Sequence, residues 1–126
     1  MKYQSNIESG FGRGKGLGFP TYNVVIPAEL SAAPGVYAAW VWIAGRRYKS
    51  AAHFGPVPTF GHTEPTLEFH LLEYYEGDEV TELEFELVHY LRPILTFESP
   101  EQLSIQIAQD VKDTEQALTI RSEEHQ

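Results

Sequence analysis

Residues 35–44 read Gly-Val-Tyr-Ala-Ala-Trp-Val-Trp-Ile-Ala. Side chains of a strand alternate between faces, so Val36, Ala38, Trp40 and Trp42 share one side, and Tyr37, Ala39, Val41 and Ile43 the other. Neither side carries a charge. Such a strand, rich in β-branched and aromatic residues, is expected to be covered on both faces. The fold must therefore supply a cover for each face.

The flanking sequence supplies candidates for both. Gly45-Arg46-Arg47 reads as a hairpin turn into a strand over Tyr48–Phe54. A loop marked by Pro56, Pro58, Gly61 and Pro65 follows, then a strand over Leu67–Tyr74. Val80–Leu91 is a long strand in which Leu83, Phe85 and Leu87 alternate with Glu82, Glu84 and Glu86. The acidic run from Glu76 to Glu86 reads as a solvated strand face. Upstream, Tyr22–Ile26 is a short strand and Tyr3–Ser9 a weaker one. Ser99-Pro100-Glu101-Gln102 has a cap residue, proline at the first helical position and Gln three residues after the cap, which is a capping box. Leu103, Ile107, Val111, Thr114 and Leu118 then recur at helical spacing. The expectation is one domain over 1–126: a mainly β, closed or nearly closed six-stranded barrel with one helix, about 100–120, packed on it, and a frayed tail over 121–126.

Composition narrows the function classes. The 126 residues are 42% hydrophobic and 21% charged, as in a globular chain. Nine basic against eighteen acidic residues give a net charge of -9, so no nucleic-acid partner is expected, because neutralising phosphates needs clustered Lys and Arg. There is no cysteine, which excludes disulfides, thiolate catalysis and Cys-ligated zinc. No apolar run approaches the roughly 20 residues of a membrane-spanning helix, so no membrane partner is expected. The start, Met1-Lys2-Tyr3-Gln4-Ser5-Asn6, lacks a signal-like apolar stretch, and a cytoplasmic location is expected.

Three segments are candidates for chemistry. In Ser9-Gly10-Phe11-Gly12-Arg13-Gly14-Lys15-Gly16-Leu17-Gly18, glycine falls at every second position from Gly10. An extended chain of this kind lacks Cβ atoms on one face, so phosphates can approach its N–H groups; otherwise it is a flexible turn. It matches neither a P-loop nor GxGxxG. In Gly18-Phe19-Pro20-Thr21-Tyr22-Asn23, Pro20 fixes the chain, and Thr21 and Asn23 point to one side. A hydroxyl and an amide oxygen suit Mg²⁺; otherwise they are two solvent-facing polar groups. In Thr66-Leu67-Glu68-Phe69-His70-Leu71, Glu68 and His70 share a face, either for catalysis or as polar-out alternation. His53, His62, His70, His89 and His125 show no metal-ligand spacing such as HExxH.

In this order and spacing the segments resemble the riboflavin kinase (flavokinase) family. The matching runs are GFGRGKGLGFPTYN at 10–23, PGVYAAW at 34–40, HFGPVPTF at 53–60, LEFHLLEY at 67–74, YLRPILTF at 90–97 and SPEQLSIQIAQD at 99–110. The resemblance is also to the kinase domain of bifunctional bacterial riboflavin kinase/FAD synthetases. It implies a six-stranded Greek-key β-barrel with a C-terminal α-helix, and transfer of the γ-phosphoryl of ATP to the ribityl 5′-hydroxyl of riboflavin, giving FMN and ADP. It implies nucleotide binding by Gly10, Gly12, Gly14, Lys15, Gly18, Pro20, Thr21 and Asn23, with Thr21 and Asn23 holding Mg²⁺. It further implies Glu68 as the base, and Arg92 and Phe97 in the loop that closes on the flavin.

Some positions depart from the family pattern. Tyr22 stands where the family usually has Ala, Ile94 where an acidic residue often follows the Leu-Arg pair, and 73–80 lacks the usual Tyr-Gly pair. An altered flavin-side rim keeps open the alternative of a non-catalytic flavin- or FMN-binding module derived from the family. The chain begins almost at the glycine-rich segment, so FAD synthesis by this chain is not expected. Separately, a monomer is expected.

Overall fold

The computed structural model describes residues 2–8, 21–56, 65–73 and 80–124, with side chains through 119. The elements are β1 (Lys2–Asn6), β2 (Thr21–Val24), β3 (Gly35–Ile43), β4 (Arg46–Gly55), β5 (Thr66–Leu71), β6 (Glu82–Arg92) and the helix α1 (Pro100–Glu124). The strands form one antiparallel sheet in the order β1-β6-β3-β4-β5-β2. β3, β4 and β5 follow one another, and β6 returns to lie beside β3, which is a Greek key. The sheet curls until its two outer strands meet at one end. There Ile7 bridges to Val24, Glu8 N–H donates to the Asn23 carbonyl at 2.8 Å and Val25 N–H to the Asn6 carbonyl at 3.0 Å. The mainly β, nearly closed Greek-key barrel with a C-terminal helix agrees with the expectation.

The two apolar faces of β3 explain the architecture. Tyr37, Ala39, Val41 and Ile43 turn inward onto a core that includes Val24, Leu67, Phe69, Leu71, Leu83 and Phe85. The Phe69 and Phe85 rings lie 4.8 Å apart at the centre. On the outer face, Ala38 and Ala51 are register partners and both are buried. α1 packs on β3, β4 and β6, with Thr114 and Leu118 wholly buried. Small side chains under the helix let it approach the sheet closely. Tyr22 faces the core rather than the side of Thr21 and Asn23.

The β3–β4 turn differs from the expected Gly45-Arg46-Arg47. Ile43 pairs with Arg46, so the turn is Ala44-Gly45, with φ of 52° and 81°. Positive φ at both central residues is the type I′ geometry that matches strand twist. Arg46 and Arg47 therefore open β4, where the Arg47 guanidinium lies 3.7 Å over the Trp40 ring and that of Arg46 5.0 Å over Tyr48.

At the helix start, Ser99 Oγ accepts from Gln102 N–H at 3.2 Å. The Gln102 side chain reaches one residue beyond the usual box partner, accepting from Glu98 N–H at 3.0 Å. The helix continues to Glu124, beyond the 120 read from the sequence.

Candidate functional site

Register places the candidate residues of β2 and β5 side by side. Asn23 pairs with Glu68, and Thr21 with His70. On the far side of β5, Glu68 pairs with His53 of β4, which pairs with Val36 of β3, which pairs with Arg92 of β6. Asn23, Glu68, His53, Val36 and Arg92 thus form one transverse row over five strands, on the face away from the core. Four inter-strand steps of ~4.8 Å give about 19 Å along the curved sheet from Asn23 to Arg92. A second row runs Thr21, His70, Ala51, Ala38 and His89.

The Asn23–Glu68 end of the row is buried, and Glu68 is held from both sides. Glu68 and Asn23 are each only 4% exposed. β5 is flanked by β2 and β4, so its backbone is fixed from both sides. The Thr21 hydroxyl and His70 Nδ1 are 3.1 Å apart. His70 Nε2 lies 3.8 Å from Glu68 Oε2, too long for a hydrogen bond but close enough for electrostatic coupling. A hydroxyl, a carboxamide, a carboxylate and an imidazole therefore meet on one sheet face. The arrangement offers hard oxygen donors beside a proton acceptor. Among the described residues no three His, Cys, Asp or Glu side chains cluster as a metal site. A hydroxyl–amide pair suits instead a cation whose remaining ligands are phosphate oxygens and water, which is how Mg²⁺ commonly sits beside a nucleotide.

At the other end of the row, Arg92 is engaged with the helix. Its Nε donates to Asp110 Oδ1 and its Nη2 to Asp110 Oδ2, both at 2.8 Å. Nη1 donates to the Pro93 carbonyl at 2.9 Å. Gln106 Nε2 adds a 3.0 Å bond to Asp110 Oδ1. The guanidinium thus ties the end of β6 and the first residue of the following loop to α1. Phe97, farther along that loop, is half-buried.

Gly10, Gly12, Gly14, Lys15, Gly18 and Pro20 lie outside the described residues. A recess of ≈ 230 Å³ is lined by Tyr3, Leu30, Ser31, Ala32, Tyr37 and Leu87. It is smaller than a typical pocket for a drug-sized ligand, and none of the candidate residues lines it.

Sequence reasoning missed His53 and Asp110. Nothing local marks His53, which joins the row only through strand register. Asp110 did carry a signal: it falls three residues after Ile107 and four before Thr114, an acid on a buried helix stripe, and such an acid needs a partner.

Among the described residues no helix is long and apolar enough to cross a membrane. A family model described as "Riboflavin kinase" matches residues 1–118. The chain is 32% identical over 126 residues to "Riboflavin kinase" of Homo sapiens, covering 93% of this chain and 80% of that protein. It is 38% identical over 123 residues to "Bifunctional riboflavin kinase/FMN phosphatase" of Arabidopsis thaliana. It is 31% identical over 100 residues to "Bifunctional riboflavin kinase/FMN adenylyltransferase" of Haemophilus influenzae. The matches cover 92% and 79% of this chain, and 32% of each of those longer proteins. Among solved structures, the chain superimposes with a TM-score of 0.77 and 25% identity on one titled "Crystal Structure of Macrolide-efflux Protein from Streptococcus pneumoniae". That match covers 90% of this chain and 38% of the other. The barrel, the order of the motifs and these similarities agree: the chain belongs to the riboflavin kinase family.

Proposed function

We propose that this protein is an ATP:riboflavin 5′-phosphotransferase, forming FMN and ADP, and that Glu68, Thr21 and Asn23 are the centre of its active site. The observation that carries this is the pairing of Asn23 with Glu68 and of Thr21 with His70, because it joins both site motifs on one face. In this reading Thr21 and Asn23 hold Mg²⁺ together with the nucleotide phosphates. The bound cation would offset charge on the phosphoryl oxygens, a need made greater by the net charge of -9.

Glu68 orients the riboflavin 5′-hydroxyl and accepts its proton as the oxygen bonds to the γ-phosphorus. The bond from that phosphorus to the β,γ-bridging oxygen breaks, and ADP leaves. Phosphoryl transfer through a loose transition state draws mainly on positioning and charge neutralisation. A two-sided β5 strand holds the carboxylate for that task, and its burial limits competing water. The glycine-rich segment with Lys15 covers the phosphates. The loop from Arg92 to Phe97 closes on the flavin, anchored at its start by Asp110.

The direct test incubates the protein with riboflavin, ATP and Mg²⁺ and looks for FMN by chromatography. FMN formation is expected, and Glu68→Gln should keep substrate binding while losing about 10²–10⁴-fold in turnover. An unimpaired Glu68→Gln rate removes Glu68 from the mechanism. Tight FMN binding with no ATP consumption by the unaltered protein points to the non-catalytic module.

A further inference from the structure

We propose that His70 is a positioning residue that turns the Thr21 hydroxyl oxygen toward the nucleotide-bound cation; this deepens the reading of Thr21 as a ligand and rests on it. A threonine hydroxyl has one proton and two lone pairs and rotates freely unless a neighbour takes the proton. As a ligand it works only if the proton points away from the cation. His70 supplies the acceptor, since Nδ1 lies 3.1 Å from Thr21 Oγ1.

Glu68 selects the tautomer that makes this possible. With Nδ1 unprotonated, the proton sits on Nε2, and its N–H faces Glu68 Oε2 across 3.8 Å. The opposite tautomer directs the Nε2 lone pair at the carboxylate, which is repulsive. One ring therefore does two things: it accepts the Thr21 proton and presents a positive edge to Glu68. His53 of β4 is the register partner of Glu68 on the other side of β5. The ring is well placed for such a role. His70 pairs with Thr21 on one side and Ala51 on the other, its carbonyl accepts from Ser50 Oγ at 3.1 Å, and its side chain is 14% exposed.

The test compares the full chain with His70→Ala, His70→Asn and Thr21→Val. Binding of ATP is measured by calorimetry without riboflavin, once with Mg²⁺ and once with EDTA. His70→Ala should weaken Mg²⁺–ATP binding about tenfold, as loss of a group that orients a metal ligand does, and leave binding in EDTA unchanged. His70→Asn should restore binding to within about threefold, because its Oδ1 can stand where Nδ1 stood and accept the same proton. Its unfolding transition, followed by circular dichroism, verifies the fold.

Three results overturn the proposal. His70→Ala binds Mg²⁺–ATP as the wild type does; or it weakens binding equally in EDTA; or a folded His70→Asn is no better than His70→Ala. Thr21→Val separates the two levels. If Thr21→Val binds Mg²⁺–ATP normally, the ligand reading of Thr21 falls and this inference with it. If Thr21→Val is impaired and His70→Ala is not, only the role of His70 falls.

Discussion

Replacing Asp110 by Asn keeps the shape of the side chain and removes its charge. Its carboxylate receives two Arg92 bonds of 2.8 Å and one from Gln106 of 3.0 Å. After the substitution one position becomes an NH₂ group facing the guanidinium, and Arg92 keeps its charge without a matched acceptor. Breaking one side of a fully buried pair costs 3–5 kcal/mol in general, but these side chains retain 15% and 8% exposure, so water offsets part of the loss. The expected destabilisation is about 2–4 kcal/mol. In a domain of this size each kcal/mol lowers Tm by roughly 3–6 °C, so the variant should melt on the order of 10 °C lower. Urea unfolding followed by near-ultraviolet circular dichroism of Trp40 and Trp42 reads the change. The double variant Arg92→Met, Asp110→Leu should recover most of the loss, because neither charge is then stranded. A change below about 0.5 kcal/mol in Asp110→Asn would refute the view that this pair fastens the helix to the sheet.

Three further outcomes are expected. Ala44→Asn creates Asn-Gly in a turn that needs positive φ at both positions, and should stabilise the fold by about 0.5–1 kcal/mol in chemical unfolding. Gly35→Ala should destabilise it by about 1–3 kcal/mol, since its Cβ would stand 2.7 Å from the Arg92 carbonyl oxygen, a backbone atom at the irregular end of β6; a melting temperature equal to wild type contradicts this. Burial, aided by the neighbouring Tyr90 phenol, raises the Tyr37 pKa above 10.0. Its contribution to stability is therefore complete below pH 10 and lost as pH rises through the folded value. Tyr37→Phe loses the 2.6 Å bond to the Ala33 carbonyl, about 1 kcal/mol at neutral pH. The gap to wild type should narrow above pH 10, as read by unfolding at fixed pH values.

The sequence carried the architecture wherever burial alone decides. Two uncharged faces on residues 36–43 require two covers, and the fold supplies the barrel core and the helix. Leu83 and Phe85, alternating with glutamates, gave their inward direction directly. Ser99 and Gln102 marked the helix start because capping is local chemistry. Register was the illegible part. One residue of slip decides whether the turn is Ala44-Gly45 or lies farther on, and Ala gives no turn signal. The irregular pairing of β6 near Tyr37 and Ala39 has no sequence mark either. Thr21, Asn23 and Glu68 were each legible as polar residues on a strand face, but their adjacency depends on β2 pairing with β5, a contact 45 residues apart. For the same reason the Arg92–Asp110 pair could not be read ahead of the fold.

The barrel's closure has a consequence for its chemistry. Among the described residues the two outer strands are joined at one end, by an isolated bridge and two main-chain bonds. One of those bonds uses the carbonyl of Asn23, whose side chain occupies the row with Glu68. Loss of the junction therefore removes one of the main-chain bonds that hold a site residue, leaving its pairing with Glu68. Substitutions at Asn6, Ile7 or Glu8, remote from the reacting groups in the chain, are positioned to alter how steadily Asn23 is presented.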